Sequence, residues 1–108
     1  MARSTVSAKK RRVHYVPSTH WDREWHMPLM GFRFGLVQLL DRVFAALEDG
    51  TLPGPFQTDG QSILLEDYLE IRPDRRAQVE RLCRAGKLAV GPWYSMPDGF
   101  AVSGEAII

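Results

Sequence analysis

Val13-His14-Tyr15-Val16-Pro17-Ser18-Thr19-His20-Trp21-Asp22-Arg23-Glu24-Trp25 joins a short apolar run to an octet crowded with one histidine, two carboxylates, an arginine and two tryptophans. The run Val13 to Pro17 reads as a buried strand that the proline ends, so the octet Ser18 to Trp25 falls in the loop leaving the strand's carboxyl end. In α/β proteins, binding sites are built on such loops. The segments that follow repeat this arrangement.

Residues two apart in an extended segment face the same side, so the imidazole of His20 and the carboxylate of Asp22 can converge while Trp21 faces away. Both are good zinc ligands at about 2.0–2.2 Å. A catalytic zinc usually has about three protein ligands and an open position, so at least one further group must come from elsewhere. Trp25, three beyond Asp22, offers an aromatic face to a sugar ring or another flat, partly apolar substrate. Arg23 and Glu24 can pair with each other or orient the ligands. Spacing alone does not decide for a metal site, because many proteins contain a lone His-x-Asp and a Trp-rich loop often merely covers a core.

Downstream, Leu29 to Glu48 carries Phe32, Leu36, Leu39, Leu40, Val43, Phe44 and Leu47 at helical spacing, with Gly50 placed to end the helix. That stripe reads as core. Gly31 and Gly35 predict a later helix start than the pattern suggests. Thr51 to Pro55 is a turn into a short strand around Phe56-Gln57-Thr58. Asp59 follows that strand and Gly60 allows a sharp turn. Asp59 is therefore either a group beside the site or against substrate, or part of an Asp-Gly turn sharing helix-capping duty with Ser62. Ile63 to Glu70 predicts a short helix on which Glu66 and Asp67 face solvent or a basic neighbour.

Pro73 to Ala85 predicts another helix, with Val79 and Leu82 inward, Cys83 as a small buried hydrophobe and Gly86 after its end. Leu88-Ala89-Val90 is a third strand, opening into the Trp93-Tyr94 loop. Trp93 and Asp98 again lie near a strand's carboxyl end, where a site role and, for Trp93, simple core packing compete. Val102 to Ile108 reads as the uncapped start of a further helix. The order strand, helix, strand, helix, strand predicts an α/β unit with a mainly parallel sheet and flanking helices.

The chain has 108 residues, a net charge of +1 and one cysteine. That length fits one small domain, and the balanced charge gives no reason to invoke nucleic acid or an acidic membrane surface. No stretch is long and apolar enough to cross a bilayer. A lone cysteine excludes an internal disulfide, and cytoplasm is the default compartment. Residues 1–12, ending Lys9-Lys10-Arg11-Arg12, read as a basic disordered leader.

His20-Trp21-Asp22-Arg23-Glu24-Trp25 after a strand and Pro17 resembles the opening motif of the family-38 glycoside hydrolases, the retaining α-mannosidases. Asp59-Gly60-Gln61 with Leu65-Glu66-Asp67-Tyr68-Leu69, Gly91-Pro92-Trp93-Tyr94 with Pro97-Asp98, and Val102-Ser103-Gly104-Glu105 are similar to later blocks in bacterial members. These blocks, in matching order, span residues 13–108. The resemblance implies that this span is the amino-terminal portion of a catalytic domain, the first part of a seven-stranded β/α barrel in a truncated chain. It implies that His20 and Asp22 bind one zinc or other divalent ion per active site, and that Trp25 packs against the sugar.

Arg23, Asp59, Trp93 and Asp98 become candidates for supporting or substrate contacts. The nucleophile, the acid/base and the remaining metal ligands are expected beyond residue 108. The implied partners are a mannose-containing oligosaccharide or glycoside and the remainder of the catalytic domain. Two positions depart from the pattern: Ser18 stands where members commonly carry a histidine, and Gly99 where an acidic residue often follows. A zinc-dependent carbohydrate deacetylase on a related barrel and a non-catalytic interaction module are the alternative readings.

Overall fold

The computed structural model describes residues 9–96. Asp98 and the segment Val102 to Ile108 lie outside the described residues. Within them the chain forms α1 (Leu29–Asp49), β1 (Phe56–Gln57), α2 (Ile63–Ile71), a 3₁₀ turn at Pro73–Arg75, α3 (Arg76–Arg84) and β2 (Leu88–Ala89).

β1 and β2 pair in parallel, with Phe56 opposite Leu88 and Gln57 opposite Ala89. Phe56 and Leu88 are buried and their neighbours Gln57 and Ala89 exposed, the alternation a one-sided sheet requires. A third parallel lane lies on the free side of β1, where Gln57 N–H donates to the Pro17 carbonyl at 2.9 Å and Thr19 N–H to the Gln57 carbonyl at 3.4 Å. That lane is a single bridge, Ser18 to Gln57, and the strand expected over residues 13–17 does not form. Pairing takes up the chain only at Pro17, and no described element packs over the residues before it. Val13, Tyr15 and Val16 are consequently exposed. The arrangement is α/β with parallel pairing, as the order of elements predicts.

α1 begins at Leu29 in spite of Gly31 and Gly35. Pro28 supplies the carbonyl that receives Gly31 N–H at 2.9 Å, and the Met27 sulfur would lie 3.2 Å from a Cβ at position 31. Close packing of Met27 thus uses the absence of a side chain there. Gly50 ends the helix with φ +82°. Of the expected stripe, Leu36, Leu40, Val43, Phe44 and Leu47 are buried, while Phe32 is half-buried and Leu39 exposed.

Opposite them Tyr68 is fully buried, its ring edge-on to Phe44 with centroids 5.3 Å apart. Its hydroxyl donates to Asp41 at 2.7 Å, and burial, reinforced by that carboxylate, pushes its pKa up. Each large apolar side chain removed from water in this cluster contributes about 1.5–3 kcal/mol.

The second half of the fold corrects the sequence reading in two places. The helix expected from Pro73 opens as the 3₁₀ turn and becomes α-helical at Arg76. Cys83 is exposed, because Val79 and Leu82 point inward and the next residue is rotated by about 100° around the helix. Of the two surroundings expected for Asp67, the basic one holds: it is buried between two arginines. Among the described residues no helix is long and apolar enough to cross a membrane.

Candidate active site

The carboxyl ends of the three parallel lanes deliver the sequence-selected residues to one edge of the sheet. His20 follows the Pro17–Thr19 lane. Asp59 follows β1 through Thr58, whose buried hydroxyl donates to the Gln61 carbonyl at 2.7 Å and whose N–H donates to the Ala89 carbonyl at 3.2 Å. The chain then reverses through Asp59 at φ +54° and Gly60 at φ +74°. Aspartate tolerates the left-handed region better than most residues, and glycine adopts it freely.

This turn brings Asp59 Oδ2 to 2.5 Å from His20 Nδ1. The other ring nitrogen, Nε2, lies 3.3 Å from Asp22 Oδ1. One imidazole therefore stands between two carboxylates, one from its own loop and one from a turn 39 residues on. The side chains of His20 and Asp22 are 60% and 47% exposed, open to a ligand, while Asp59 is 32% exposed behind them. The hydrogen bond to Asp59, then the charge of Asp22, raises the pKa of His20 above its ordinary value of 6.5.

A raised histidine pKa stabilises the fold where the ring is protonated. In the metal-free protein this increment is fully present below the unfolded value and is lost as pH rises through the higher folded value. NMR titration of the His20 ring in metal-free protein is expected to give a midpoint above 6.5, which Asp59→Asn lowers. An unchanged midpoint in the variant would remove Asp59 as the main cause.

Trp21 points the other way, as alternation requires: it is buried in the core and its Nε1 donates to the Phe32 carbonyl at 3.3 Å. Trp25 is 75% exposed. Arg23 pairs with Glu24 at 3.0 Å and reaches α2, where its Nε donates to Asp67 at 2.8 Å. Trp93, half-buried, backs the Asp59–Gly60 turn: its N–H donates to the Gly60 carbonyl at 2.8 Å and its carbonyl accepts Ser62 N–H at 2.9 Å. Ile63 N–H donates to the Tyr94 carbonyl at 2.9 Å, so the loop after β2 satisfies the first amides of α2 and no Ser62 side-chain cap is used.

A Cβ on Gly60 would meet Trp93 Cδ1 at 3.3 Å as well as straining a positive φ. Gly60→Ala is accordingly expected to destabilise by about 1–2 kcal/mol in denaturant unfolding. No loss would show that the turn relaxes freely.

Asp67 and Arg33 were not singled out by sequence reasoning. Arg33 Nη2 lies 2.9 Å from Asp67 Oδ1 and 2.5 Å from Glu70 Oε2. The available signal was Arg33 itself, a charge three positions before Leu36 on the apolar stripe, which calls for a buried partner.

Among the described residues no group of three or more histidine, cysteine, aspartate or glutamate side chains is arranged to hold a metal ion. His20 and Asp22 nevertheless fit two corners of such a site. Ligand atoms about 2.0–2.2 Å from a tetrahedral zinc stand roughly 3.3–3.5 Å apart. The observed separation of 3.3 Å agrees. Asp59 on Nδ1 also leaves Nε2, on the Asp22 side, as the nitrogen that would face a metal, the tautomer control seen around metal-bound histidines.

Residues 10–108 match the model described as the glycosyl hydrolases family 38 N-terminal domain. The chain belongs to glycosyl hydrolase family 38. It is 43% identical over 97 residues to a protein of Halalkalibacterium halodurans provisionally named a mannosylglycerate hydrolase, covering 90% of this chain and 11% of that relative.

Among solved family structures, an alpha-mannosidase from Enterococcus faecalis V583 superposes with a TM-score of 0.79 at 40% identity, covering 83% of this chain and 10% of that one. A second family-38 protein from Enterococcus faecalis gives 0.73 at 36% identity, over 84% of this chain and 11% of that one. The family-38 chain described here thus spans about a tenth of the length of these relatives.

Proposed function

We propose that this chain forms the amino-terminal part of a family-38 glycosidase site that hydrolyses α-mannosidic bonds with retention. The observation that carries the reading is His20 held between Asp22 and Asp59 at the carboxyl edge of a parallel sheet. In this reading His20 Nε2 and Asp22 hold a zinc or similar divalent ion, Asp59 orients the imidazole, and Trp25 stacks on the sugar. When bound, the ion orients sugar hydroxyls as a Lewis acid and supports distortion of the ring towards the oxocarbenium-like transition state. Arg23 and Trp93 support the loop and the turn, and Asp98 remains a candidate contact.

The two carboxylates of a retaining mechanism, about 5–5.5 Å apart, act as nucleophile and acid/base. They and the remaining metal ligands are proposed to come from outside these 108 residues, as does the rest of the seven-stranded barrel. The short coverage of the relatives supports this. Their names support a mannose-containing substrate.

The test follows hydrolysis of an aryl α-mannoside and of mannosylglycerate by the natural full-length product, with NMR of the first-released anomer. Release of α-mannose fits the reading; β-mannose released first would overturn retention, and exclusive cleavage of acetylated sugars would overturn the glycosidase. The 108-residue chain alone is expected to show no turnover. Turnover that His20→Ala abolishes would place the catalytic carboxylates within it.

A further inference from the structure

From His20 onward, the loop that carries the octet has no backbone anchorage of its own among the described residues. Among the described residues, the last backbone bond before it is Thr19 N–H to Gln57, the next is Gly31 N–H to Pro28, and no backbone–backbone bond involves His20 to Met27. Side chains must therefore set its path. Trp21 and Arg23, two apart, both turn inward: Trp21 into the core, Arg23 onto α2. His20 and Asp22, the alternate pair, turn outward and meet at 3.3 Å. Asp22 is thus flanked by two anchored neighbours.

Arg23 binds Asp67 at two points, Nε to Oδ2 at 2.8 Å and Nη2 to Oδ1 at 3.4 Å. The Asp67 side chain is only 4% exposed and also receives Arg33 of α1 at 2.9 Å. One buried carboxylate ties the octet, α1 and α2 together. Trp93 and Tyr94 close the same corner, their carbonyls accepting the Ser62 and Ile63 N–H groups at the start of α2.

We propose that Asp67 is a positioning residue for the site, acting through Arg23 to hold Asp22 in register with His20. This rests on the metal-binding reading given above. A planar guanidinium fixed at two points on a carboxylate restrains rotation as well as distance, which an ammonium cannot do. Releasing Arg23 frees the carboxyl half of the octet while leaving Trp21 in the core and Arg33 still paired with Asp67 and Glu70.

The experiment compares wild type, Arg23→Lys and Arg23→Gln in the natural full-length product, with Asp22→Ala as reference. Zinc affinity is measured by competition with a chromophoric chelator, hydrogen exchange over residues 20–27, and Tm. Arg23→Gln is expected to keep its Tm, lose at least about tenfold in zinc affinity and exchange faster over the octet, with Arg23→Lys between. Wild-type exchange and affinity in Arg23→Gln, or a lowered Tm with unchanged affinity, would overturn the positioning role. A wild type that binds no zinc would defeat the metal reading instead, and with it the proposed consequence of the clamp, whereas its exchange profile would still show whether Arg23 orders the loop.

Discussion

Replacing His20 by alanine in the natural full-length product is expected to lower kcat/KM for an aryl α-mannoside on the order of 10³-fold or more, with the folded state retained. His20 joins the two halves of the constellation, with Asp59 at 2.5 Å on one ring nitrogen and Asp22 at 3.3 Å on the other. Without the imidazole, Asp22 and Asp59 lose their shared partner, and the proposed metal-binding pair is reduced to one carboxylate. Lewis-acid stabilisation of developing charge is worth several kcal/mol, which sets the expected loss. The side chain is 60% exposed, so its removal leaves no core cavity. Activity within a few fold of wild type would exclude His20 from the site.

Asp67→Ala is expected to destabilise the protein by roughly 3–5 kcal/mol in denaturant unfolding, the largest loss from any single charged residue described. The carboxylate is 4% exposed and meets two guanidinium groups, of which Arg33 is itself only 11% exposed. Truncation leaves Arg33 with Glu70, 68% exposed, as its remaining partner, and Arg33 Nε already lacks one. A buried cation deprived of its buried counter-ion costs more than the pair contributes. The part of the loss due to Arg23, 34% exposed, is smaller because solvent screens it. A loss below about 1 kcal/mol would mean that water or Glu70 replaces Asp67 readily.

Much of the helical framework was legible in the sequence because helix period and stop signals are local. Leu36, Leu40, Val43, Phe44 and Leu47 mark the buried face of α1, and Gly50 ends it as foreseen, in the left-handed conformation. The strand read over Val13 to Pro17 does not form, because such an apolar run signals burial only if something packs upon it. Cys83 was misplaced for a related reason: residue type suggested burial, whereas its angle from Leu82 decides exposure.

At the candidate site, alternation foretold that His20 and Asp22 share a side opposite Trp21. The pairing of His20 with Asp59 is different, since it depends on how two loops meet across the edge of the sheet. Sequence could place Asp59 after a strand but could not aim it. For Asp67 the sequence offered solvent or a basic neighbour; which arginines meet it, and how deeply it is buried, depend on how α1, α2 and the octet pack together.

The most direct test of the central claim is the zinc content of the natural full-length product after equilibration with the metal and removal of unbound ion, for wild type and Asp22→Ala. The account predicts one zinc per active site in the wild type and its loss in the variant, with both proteins folded. A folded wild type that holds no divalent metal, or a variant that retains the wild-type complement, would contradict it.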